Sequence, residues 1–541
     1  MKPLQRNTNL ACRLIAVMAI FASAAVLSAD DSDAHGNWLS AGGGIRNTRS
    51  TAEGPEKSDV RRLQQDWVFT AAGDVSATPT VEGSSLYVVD WGGFLYKLDA
   101  RSGQVTWSHK ISDYTGNTNS VSRTSPAIQG DKLVIGDQAT ATVLAVDKNS
   151  GDLIWQTLAD PHPCGRVTSS VVIGENKVYV GLSCTEEGTV LFVKGYIPSF
   201  RGSMLALDLQ TGAIVWKTYT LPAVPAGYPA NTPWYSGVPI WASTAALDLI
   251  SRTVFIGTGN NYTVPPAVAQ CILDAGSDPA DQSACLAPDD YEDTVLALDM
   301  DTGAIKWSRR LQAFDTWTAA CLPNLPPGFS ANPCPVPAGG DFDFGSGPNL
   351  FTVGDDRSAR PILGIGQKSG VYWALDPRTG ATIWATLVGA AQNLGGIEWG
   401  TATDGRRVYV AESDYYHAPY TLPSGQTLTG GSWAALDAVT GKILWQVPVT
   451  GADPLDAQHR AAAAMGAVTV SNDVMYASDM AGTLVALDGR TGATLWTLST
   501  GASVNCGPSI VDGRIFWGTG YKELGIGTAN NKLYAFSVHG D

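Results

Sequence analysis

The chain has 541 residues, of which 50 are acidic and 35 basic, so its formal net charge is −15. This acidic balance argues against nucleic acid or an anionic membrane as a partner, because both need a basic surface. Only 16% of the residues are charged and 44% are hydrophobic, which excludes a chain that is disordered throughout. The 59 Gly, 30 Pro, 17 Trp and 18 Tyr residues indicate many short strands joined by turns.

The N-terminus has the pattern of a secretory signal. Lys2, Arg6 and Arg13 precede an apolar run over residues 14–27, and the small residues Ser28 and Ala29 follow it. The run is too short to span a bilayer, although an uncleaved membrane anchor remains the alternative. We therefore expect residues 1–29 to be a signal peptide and the mature protein to be periplasmic, with no membrane span.

One motif, Ala-x-Asp-x-x-(Ser/Thr)-Gly-x-x-x-Trp, recurs seven times with small variations. Its Asp and Gly predict a tight turn between two strands, and its Trp is large enough to fill the space between neighbouring sheets. Four strands per unit, stacked radially, predict a β-propeller. The copies are Asp99/Gly103/Trp107, Asp147/Gly151/Trp155, Asp208/Gly212/Trp216, Asp299/Gly303/Trp307, Asp376/Gly380/Trp384, Asp437/Gly441/Trp445 and Asp488/Gly492/Trp496.

The two ends of the chain predict one further unit. The segment 533–538 matches the strand before the turn, and the segment 63–67 matches the outer strand. We therefore predict an all-β fold: an eight-bladed β-propeller of four-stranded, Trp-containing blades over residues 61–541, closed by N- and C-terminal strands. Residues 30–60 form an N-terminal arm, and seven blades is the alternative count. Two long Pro-rich loops, 262–290 and 318–340, are expected to carry or cover a site.

Cysteine spacing predicts disulfides and no haem. The sequence has no Cys-x-x-Cys-His and no Cys-x-x-Cys, which argues against covalent haem and structural zinc. In an oxidising compartment we expect Cys164–Cys184, Cys271–Cys285 and Cys321–Cys334 to pair and Cys506 to be left over, with buried free thiols as the alternative.

The repeat, the blade count and the signal together resemble the pyrroloquinoline quinone (PQQ)-dependent, or quinoprotein, alcohol dehydrogenases, and within them the polyvinyl alcohol dehydrogenases without a haem c domain. The resemblance covers nearly everything after residue 36. It implies oxidation of an alcohol, secondary or polymeric, by hydride transfer to PQQ, with electrons passed to an external cytochrome c. Because non-catalytic propellers share the repeat, a periplasmic scaffold or binding protein is the alternative function.

The resemblance also implies which residues contact PQQ. Arg123, in the segment 119–126, would suit a multiply anionic cofactor. Hydroxyl groups in the segment 167–170 would bind a PQQ carboxylate, a Trp in the segment 237–243 would stack on it, and a Lys in the segment 366–370 would point at the quinone oxygens. The expected cofactor contacts are Arg123, Thr168, Ser169, Trp241, Lys368 and Trp399.

A divalent cation, normally Ca²⁺, is implied beside the quinone, and oxygen ligands are expected for it. The match of residues 181–186 gives Glu186 as the first candidate and Glu187 as the fallback. The tetrapeptide 257–260, Gly-Thr-Gly-Asn, gives Asn260. Asp341 is the third expected metal ligand.

The segment Gly-Asp-Phe-Asp-Phe-Gly, residues 340–345, offers two carboxylates for the catalytic base. We favour Asp343 as the base, with Asp341 near the metal and Lys368 polarising the quinone carbonyl. In the alternative alignment Asp341 is the base, and Asp343 takes the place of the extra Asp ligand of lanthanide-using relatives. Asp315 is a weaker third candidate.

Overall fold

The computed structural model describes residues 36–538 except 324, 326, 327, 356 and 357. The predicted signal peptide at 1–29 lies outside these residues. The described strands build eight four-stranded antiparallel sheets, which confirms the predicted eight-bladed β-propeller. No helix within the described residues is long and apolar enough to cross a membrane.

The blades follow one another in chain order, and each is given from its inner to its outer strand. Blade 1 consists of Thr80–Glu82, Ser85–Val89, Phe94–Asp99 and Val105–Lys110, and blade 2 of Ala127–Gln129, Lys132–Gly136, Thr142–Asp147 and Leu153–Leu158. Blade 3 consists of Val172–Gly174, Lys177–Cys184, Ser203–Asp208 and Ile214–Tyr219, and blade 4 of Ala246–Asp248, Thr253–Gly257, Thr294–Asp299 and Ile305–Arg310. Blade 5 consists of Asn349–Val353, Arg360–Gly366, Val371–Leu375 and Thr382–Leu387, and blade 6 of Ala402–Thr403, Arg407–Glu412, Ser432–Asp437 and Ile443–Pro448. Blade 7 consists of Thr469–Ser471, Val474–Ser478, Thr483–Asp488 and Thr494–Ser499, and blade 8 of Ser509–Val511, Arg514–Gly518, Lys532–Ser537 and Gln64–Thr70.

Short strands and helices decorate this ring. Asn37–Trp38 extends blade 1, Ser50–Thr51 pairs in parallel with blade 7 and Gly165–Arg166 pairs with blade 3, while Ser236–Gly237 pairs with Asn261–Thr263 and Tyr420–Thr421 with Thr427–Leu428. The α-helices are α1 (Ile111–Thr115), α2 (Glu186–Thr189), α3 (Pro266–Ala275) and α4 (Pro279–Ala284). Single 3₁₀ turns span Val60–Arg62, Ala319–Cys321 and Glu523–Gly525. The three predicted cysteine pairs are disulfides, and Cys506 is free and buried.

The repeated motif joins each blade to the next. The indole Nε1 of Trp216 in blade 3 donates a hydrogen bond to Met300 O, 3.0 Å away, beside the motif turn of blade 4. A Cβ on Gly303 of that turn would lie 2.6 Å from the Trp216 ring, so only glycine fits there. The same indole-to-carbonyl bond is made by Trp67, Trp155, Trp307, Trp384, Trp445 and Trp496, whereas Trp107 Nε1 of blade 1 has no hydrogen-bond partner among the described residues.

Burial differs sharply between the strands of a blade. Every residue of Lys132–Gly136 in blade 2 is buried, whereas the outer strand Val105–Lys110 of blade 1 has no buried residue. The apolar core therefore fills the space between neighbouring blades. Polar side chains that are buried without belonging to this core collect at the segments that lead into the inner strands.

Candidate active site

A cavity on the propeller axis is built by equivalent positions of seven blades. Apart from Ala41, Arg49 and Tyr521, its lining residues come two to four positions before an inner strand. Side chains alternate along extended backbone, so the residues two and four positions before the strand reach the same side. These pairs include Ser76 and Thr78, Arg123 and Ser125, Thr168 and Ser170, Ala242 and Thr244, and Asn505 and Gly507.

The structure separates two of the predicted cofactor contacts, Thr168 and Ser169. Ser169 lies three positions before its strand, and its buried hydroxyl donates to Gly181 O at 3.1 Å, inside blade 3. Thr168 and Ser170 line the cavity instead. The structure therefore brings Thr168 to the axis and turns Ser169 away from it.

Two guanidinium groups border the cavity: Arg49 is buried and Arg123 is partly buried. Arg123 Nη2 donates to Trp241 O at 3.3 Å, and its guanidinium lies 5.0 Å from the centre of the Trp399 ring. Arg49 Nε donates to Val468 O at 2.7 Å. Burial lowers the pKa of both, that of Arg49 to about 10. Among the described residues neither forms an ion pair with a carboxylate, and a buried cation without a counter-ion favours an anionic ligand.

Trp399 and Tyr521 line the cavity, and Trp241 packs against Trp399 to complete an aromatic wall. The Trp241 and Trp399 rings are nearly perpendicular, with centroids 5.4 Å apart, and Trp399 lies 6.1 Å from Tyr521. Trp399 Nε1 is buried and has no hydrogen-bond partner among the described residues. The wall thus offers flat apolar faces together with an unused donor, which suits a planar heterocycle that carries acceptors.

Lys368 lies between two carboxylates at one end of this wall. Its Nζ is 3.0 Å from Asp341 Oδ2 and 3.3 Å from Asp343 Oδ2, and it lies 4.9 Å from the centre of the Trp241 ring. Burial opposes the charge of Lys368, but Asp341 and Asp343 outweigh it and raise the pKa of Lys368 well above its ordinary value. Lys368 is therefore a fixed cation beside the aromatic wall.

The two aspartates differ in how many of their oxygens are engaged. Asp343 Oδ2 accepts from Trp241 Nε1 at 2.7 Å, and its Oδ1 accepts from the backbone N–H of Asn260 at 2.7 Å. Asp341 Oδ1 is buried without a partner among the described residues. Burial raises the pKa of Asp341 well above its usual range, against the opposing charge of Lys368. Of the two candidate bases, Asp341 keeps an oxygen without a partner in the described part of the chain, whereas Asp343, the candidate favoured from the sequence, has both oxygens engaged.

Asp315, the third candidate base, holds the turn that presents Asp341. Its Oδ1 accepts from Asp341 N at 3.0 Å and its Oδ2 accepts from Phe342 N at 2.5 Å. The turn needs this support because Asp341 has a backbone φ of 60°, which residues other than glycine rarely adopt. Asp315 therefore positions the site and has little free capacity to accept a substrate proton.

Oxygen donors for a hard cation lie next to the aspartates. Asn260 Oδ1 is buried without a partner among the described residues. The Nδ2 of the same amide donates to Asn261 O and Trp317 O, both at 2.9 Å, which fixes the orientation of the amide. Burial and the nearby charge of Asp343 raise the pKa of Glu187 to about 7. Free amide and carboxylate oxygens in one buried place are the donor set that Ca²⁺ or a lanthanide prefers.

Glu186, the first metal candidate from the sequence, does not belong to this set. Its carboxylate is fully buried and accepts from Tyr196 Oη at 2.8 Å, Ser199 N at 2.9 Å and Phe200 N at 2.8 Å. Successive residues of a helix point about 100° apart, so Glu187 on α2 faces Asp343 while Glu186 faces the following loop. Glu187, the fallback candidate, has Asp343 among its neighbouring charges and stays a candidate ligand.

Several acidic residues around the site escaped the sequence interpretation. Burial raises the pKa of Glu398 to about 7, and its Oε1 has no partner among the described residues. Asn261 Nδ2 donates to Asp290 Oδ2 and to Glu292 Oε2. The dense acidic run 289–293, Asp-Asp-Tyr-Glu-Asp, was a visible signal for the second group, whereas Glu398 had only its place next to Trp399.

Comparison with known proteins places the chain among quinoproteins. The PQQ_2 family model, described as outer membrane protein assembly factor BamB, matches residues 64–218, 367–504 and 429–540. The chain is 30% identical to polyvinylalcohol dehydrogenase of Sphingopyxis sp. (strain 113P3) over 518 residues, which is 89% of this chain and 73% of the relative.

Solved structures share the fold. Quinohemoprotein alcohol dehydrogenase from Comamonas testosteroni aligns with a TM-score of 0.67 at 20% identity, covering 94% of this chain and 81% of that one. A europium-containing methanol dehydrogenase aligns with a TM-score of 0.65 at 18% identity, covering 93% and 98%. At these identities the alignments show a common propeller and no more.

Proposed function

The chain belongs to the family of PQQ-dependent alcohol dehydrogenases, and from this premise we propose that it oxidises a secondary or polymeric alcohol, such as polyvinyl alcohol, in the periplasm. One observation carries the proposal: a buried Lys368–Asp341–Asp343 cluster lies beside the unpartnered Asn260 Oδ1, next to a cavity bordered by two guanidinium groups. Electrons leave to a separate carrier, most simply a soluble cytochrome c.

The cavity residues fit PQQ by charge and shape. Arg123 would neutralise its carboxylates, Thr168 would donate a hydroxyl, and the faces of Trp241 and Trp399 would border its rings. Lys368 would donate to its quinone oxygens. PQQ, when bound, supplies an ortho-quinone that accepts two electrons and a proton equivalent from the alcohol carbon.

The cation site consists of Glu187, Asn260 and Asp343. A divalent Ca²⁺ ion needs several oxygen ligands, and the partner-free Oδ1 of Asn260 and the carboxylate of Glu187, which lies near Asp343, are available for it. Because Asp343 and Glu398 add further negative charge around Lys368, a trivalent lanthanide is the alternative occupant.

We assign the removal of the alcohol proton to Asp341. A base must keep a free lone pair within reach of substrate, and Asp341 Oδ1 has no other partner among the described residues. Lys368, 3.0 Å from the other oxygen of the same carboxylate, fixes its orientation. Asp343, bonded to Trp241 and Asn260, holds the stacking wall and the cation site together.

Reconstitution of the purified protein tests this function. PQQ with Ca²⁺, or with La³⁺ in a parallel series, is added to the protein, and reduction of an artificial dye is followed over a panel of alcohols that includes polyvinyl alcohol. We expect alcohol-dependent dye reduction that disappears in excess chelator. Tight PQQ binding without turnover of any alcohol, or no PQQ binding at all, would favour the scaffold function instead.

A further inference from the structure

Two loops beside the site expose an apolar ridge at Phe192, Val193 and Phe329, and Val336 of the second loop is exposed as well. These side chains are 72%, 47%, 46% and 72% exposed, respectively. The rings of Phe192 and Phe329, which come from different loops, pack edge to face with centroids 6.0 Å apart. Exposed apolar patches of this kind mark binding surfaces in water-soluble folds.

The ridge is held in shape by hydrogen bonds between the two loops. Asn332 Nδ2 donates to Val190 O and to Val193 O, both at 2.7 Å, and its Oδ1 accepts from Gly195 N at 2.8 Å. Ala331 N also donates to Leu191 O at 3.0 Å. These contacts keep Phe192 and Phe329 side by side, so a ligand would meet a surface that is already formed.

Both loops start or end at residues of the proposed active site. The first loop follows α2, which ends at Thr189 and carries Glu187. The second follows Trp317, whose carbonyl accepts from Asn260 Nδ2, and it ends at Asp341. Phe192 is therefore only five residues along the chain from Glu187, which places this side of the ridge near the site, where the part of a substrate outside the cavity would emerge.

The ridge carries almost no charge. The sequence has no charged residue between Asp315 and Asp341, and Lys194 is the one charged residue between Glu187 and Arg201. Docking surfaces for protein partners usually combine an apolar centre with complementary charges at the rim. An uncharged ridge is better matched to a neutral hydrocarbon chain.

We propose that this ridge binds the chain of a neutral polymeric alcohol while one of its carbinol groups occupies the active site. The proposal rests on the proposed function and adds to it a subsite outside the catalytic cavity. Its consequence is a preference for long hydroxylated hydrocarbon chains over short secondary alcohols of the same local chemistry.

The test compares Phe192→Ser/Phe329→Ser with Ile250→Ser. Ile250 is 64% exposed and follows an inner strand, whereas the site residues precede the inner strands, so it lies on the opposite face of the propeller. Binding of polyvinyl alcohol to the cofactor-free full chain is measured by calorimetry. We expect the double variant to bind about tenfold more weakly, because it loses two apolar contact surfaces, and Ile250→Ser to bind like the parent chain.

Kinetics of the reconstituted enzyme give a second readout. For the double variant, kcat/KM for polyvinyl alcohol should fall about tenfold through KM, while kcat/KM for pentane-2,4-diol stays within about twofold of the parent value. If kcat/KM falls equally for both substrates, or for neither, the proposal that the ridge binds the polymer is wrong. Slower cytochrome c reduction with unchanged dye-coupled turnover would assign the ridge to a protein carrier and overturn it as well.

Failure of the ridge and failure of the proposed function are distinguishable. If no alcohol is oxidised with PQQ, the function is wrong, whereas calorimetry still reports polymer binding to the cofactor-free chain. If Phe192→Ser/Phe329→Ser is poorly folded, the single variant Phe192→Ala removes the more exposed ring and is held to the same two criteria.

Discussion

Asp341 and Asp343 are only two residues apart, yet their surroundings give them different chemistry. Both oxygens of Asp343 accept hydrogen bonds, one from Trp241 Nε1 and one from Asn260 N. Asp343 therefore connects the aromatic wall to the segment that carries Asn260. Asp341 keeps one buried oxygen free and is presented by a turn with positive φ that Asp315 supports. Strain and an unused polar atom at the same residue point to a functional role.

Asp341→Asn should reduce turnover by about 10³-fold, because the amide cannot accept the alcohol proton. PQQ binding, followed by its absorbance, should remain close to the parent value. Asp343→Asn should weaken cation binding, and excess Ca²⁺ or La³⁺ should restore part of its activity. The assignment fails if Asp341→Asn keeps near-normal turnover while Asp343→Asn loses it beyond rescue by metal.

Glu186 and Glu187 form a matched pair for testing the metal site. Glu187→Gln should raise the metal concentration for half-maximal activity at least tenfold, since a charged ligand is lost. Glu186→Gln should leave that concentration unchanged and lower the unfolding free energy by about 1–3 kcal/mol, because the carboxylate accepts buried hydrogen bonds from Ser199 and Phe200. A metal titration and urea unfolding of both variants separate the roles, and interchanged outcomes would restore Glu186 as the ligand.

Residue identities near the site could be predicted from the sequence more reliably than the directions of side chains. The sequence placed a metal-ligating glutamate at 186 or 187, but a one-residue step along α2 decides which carboxylate faces Asp343. Ser169 fails for the related reason that side chains alternate along extended backbone. Tyr521 and Arg49 had no local signal, because tertiary folding alone brings the chain ends to the axis.

At the scale of the element, the motif glycine serves both its own turn and the neighbouring blade. Gly303 has a φ of 71°, and a Cβ there would lie 2.6 Å from the Trp216 ring. Gly513, in the hairpin turn of blade 8, has a φ of 75° with open space around the position of a Cβ. The two glycines therefore share the backbone requirement and differ in the contact with an indole.

Gly513→Ala should cost about 1 kcal/mol of unfolding free energy, through the positive φ alone. Gly303→Ala should cost roughly 2–4 kcal/mol, because the methyl group also forces the Trp216 indole out of its place. Urea unfolding of both variants measures the difference. Equal losses of unfolding free energy would show that the Trp216 indole can move away from the added methyl group without destabilising the fold. The motif glycine would then be needed only for the positive φ of its turn.

Asp479 in blade 7 gives the stability of the fold a pH dependence. Its Oδ1 accepts from Thr483 N at 2.8 Å, and its Oδ2 is buried without a partner among the described residues. Burial raises the pKa of Asp479 to about 6, so the folded state holds this proton more tightly than the unfolded state does. Its contribution therefore favours folding at about pH 4 and is lost as the pH rises through about 6.

Asp479→Asn should remove this dependence. The unfolding free energy of the variant, relative to the parent chain, should increase by roughly 2–3 kcal/mol between pH 4 and pH 7. Denaturant unfolding of both proteins at each pH gives the difference directly. A difference that is constant with pH would mean that Asp479 is not protonated in the folded state.

For the whole molecule, the sequence determined the ring more completely than the site inside it. Every motif copy marks one blade and the matching end segments mark the eighth, so the count and the closure could be predicted from the sequence. The cavity is different, because its residues come from seven blades and are far apart along the chain. A resemblance to known proteins identified Arg123, Trp241 and Lys368, whereas no periodic signal marked Glu398.

Ring closure depends on one pairing between the chain ends. Gln64–Thr70 pairs with Lys532–Ser537, with Trp67 opposite Ala535, and Leu533, Ala535 and Phe536 are almost fully buried. Trp496 of blade 7 donates to Leu63 O, so the N-terminal segment also replaces the motif turn that blade 8 lacks. The N-terminal segment therefore contacts both the last strand of blade 8 and the outer strand of blade 7.

A chain that ends after Asn531 should lose the cooperative unfolding of the parent protein. Without the last strand, Gln64–Thr70 has no neighbour in blade 8 and leaves an open sheet edge that promotes association. PQQ binding should fail too, because the cavity needs Asn505 and Tyr521 of blade 8 beside Arg123 of blade 2. Thermal melting, size-exclusion chromatography and PQQ titration check these outcomes, with a chain ending after Val538 as the control. A cooperative melt with retained PQQ binding in the shorter chain would mean that contacts between blades hold the ring without the terminal pairing.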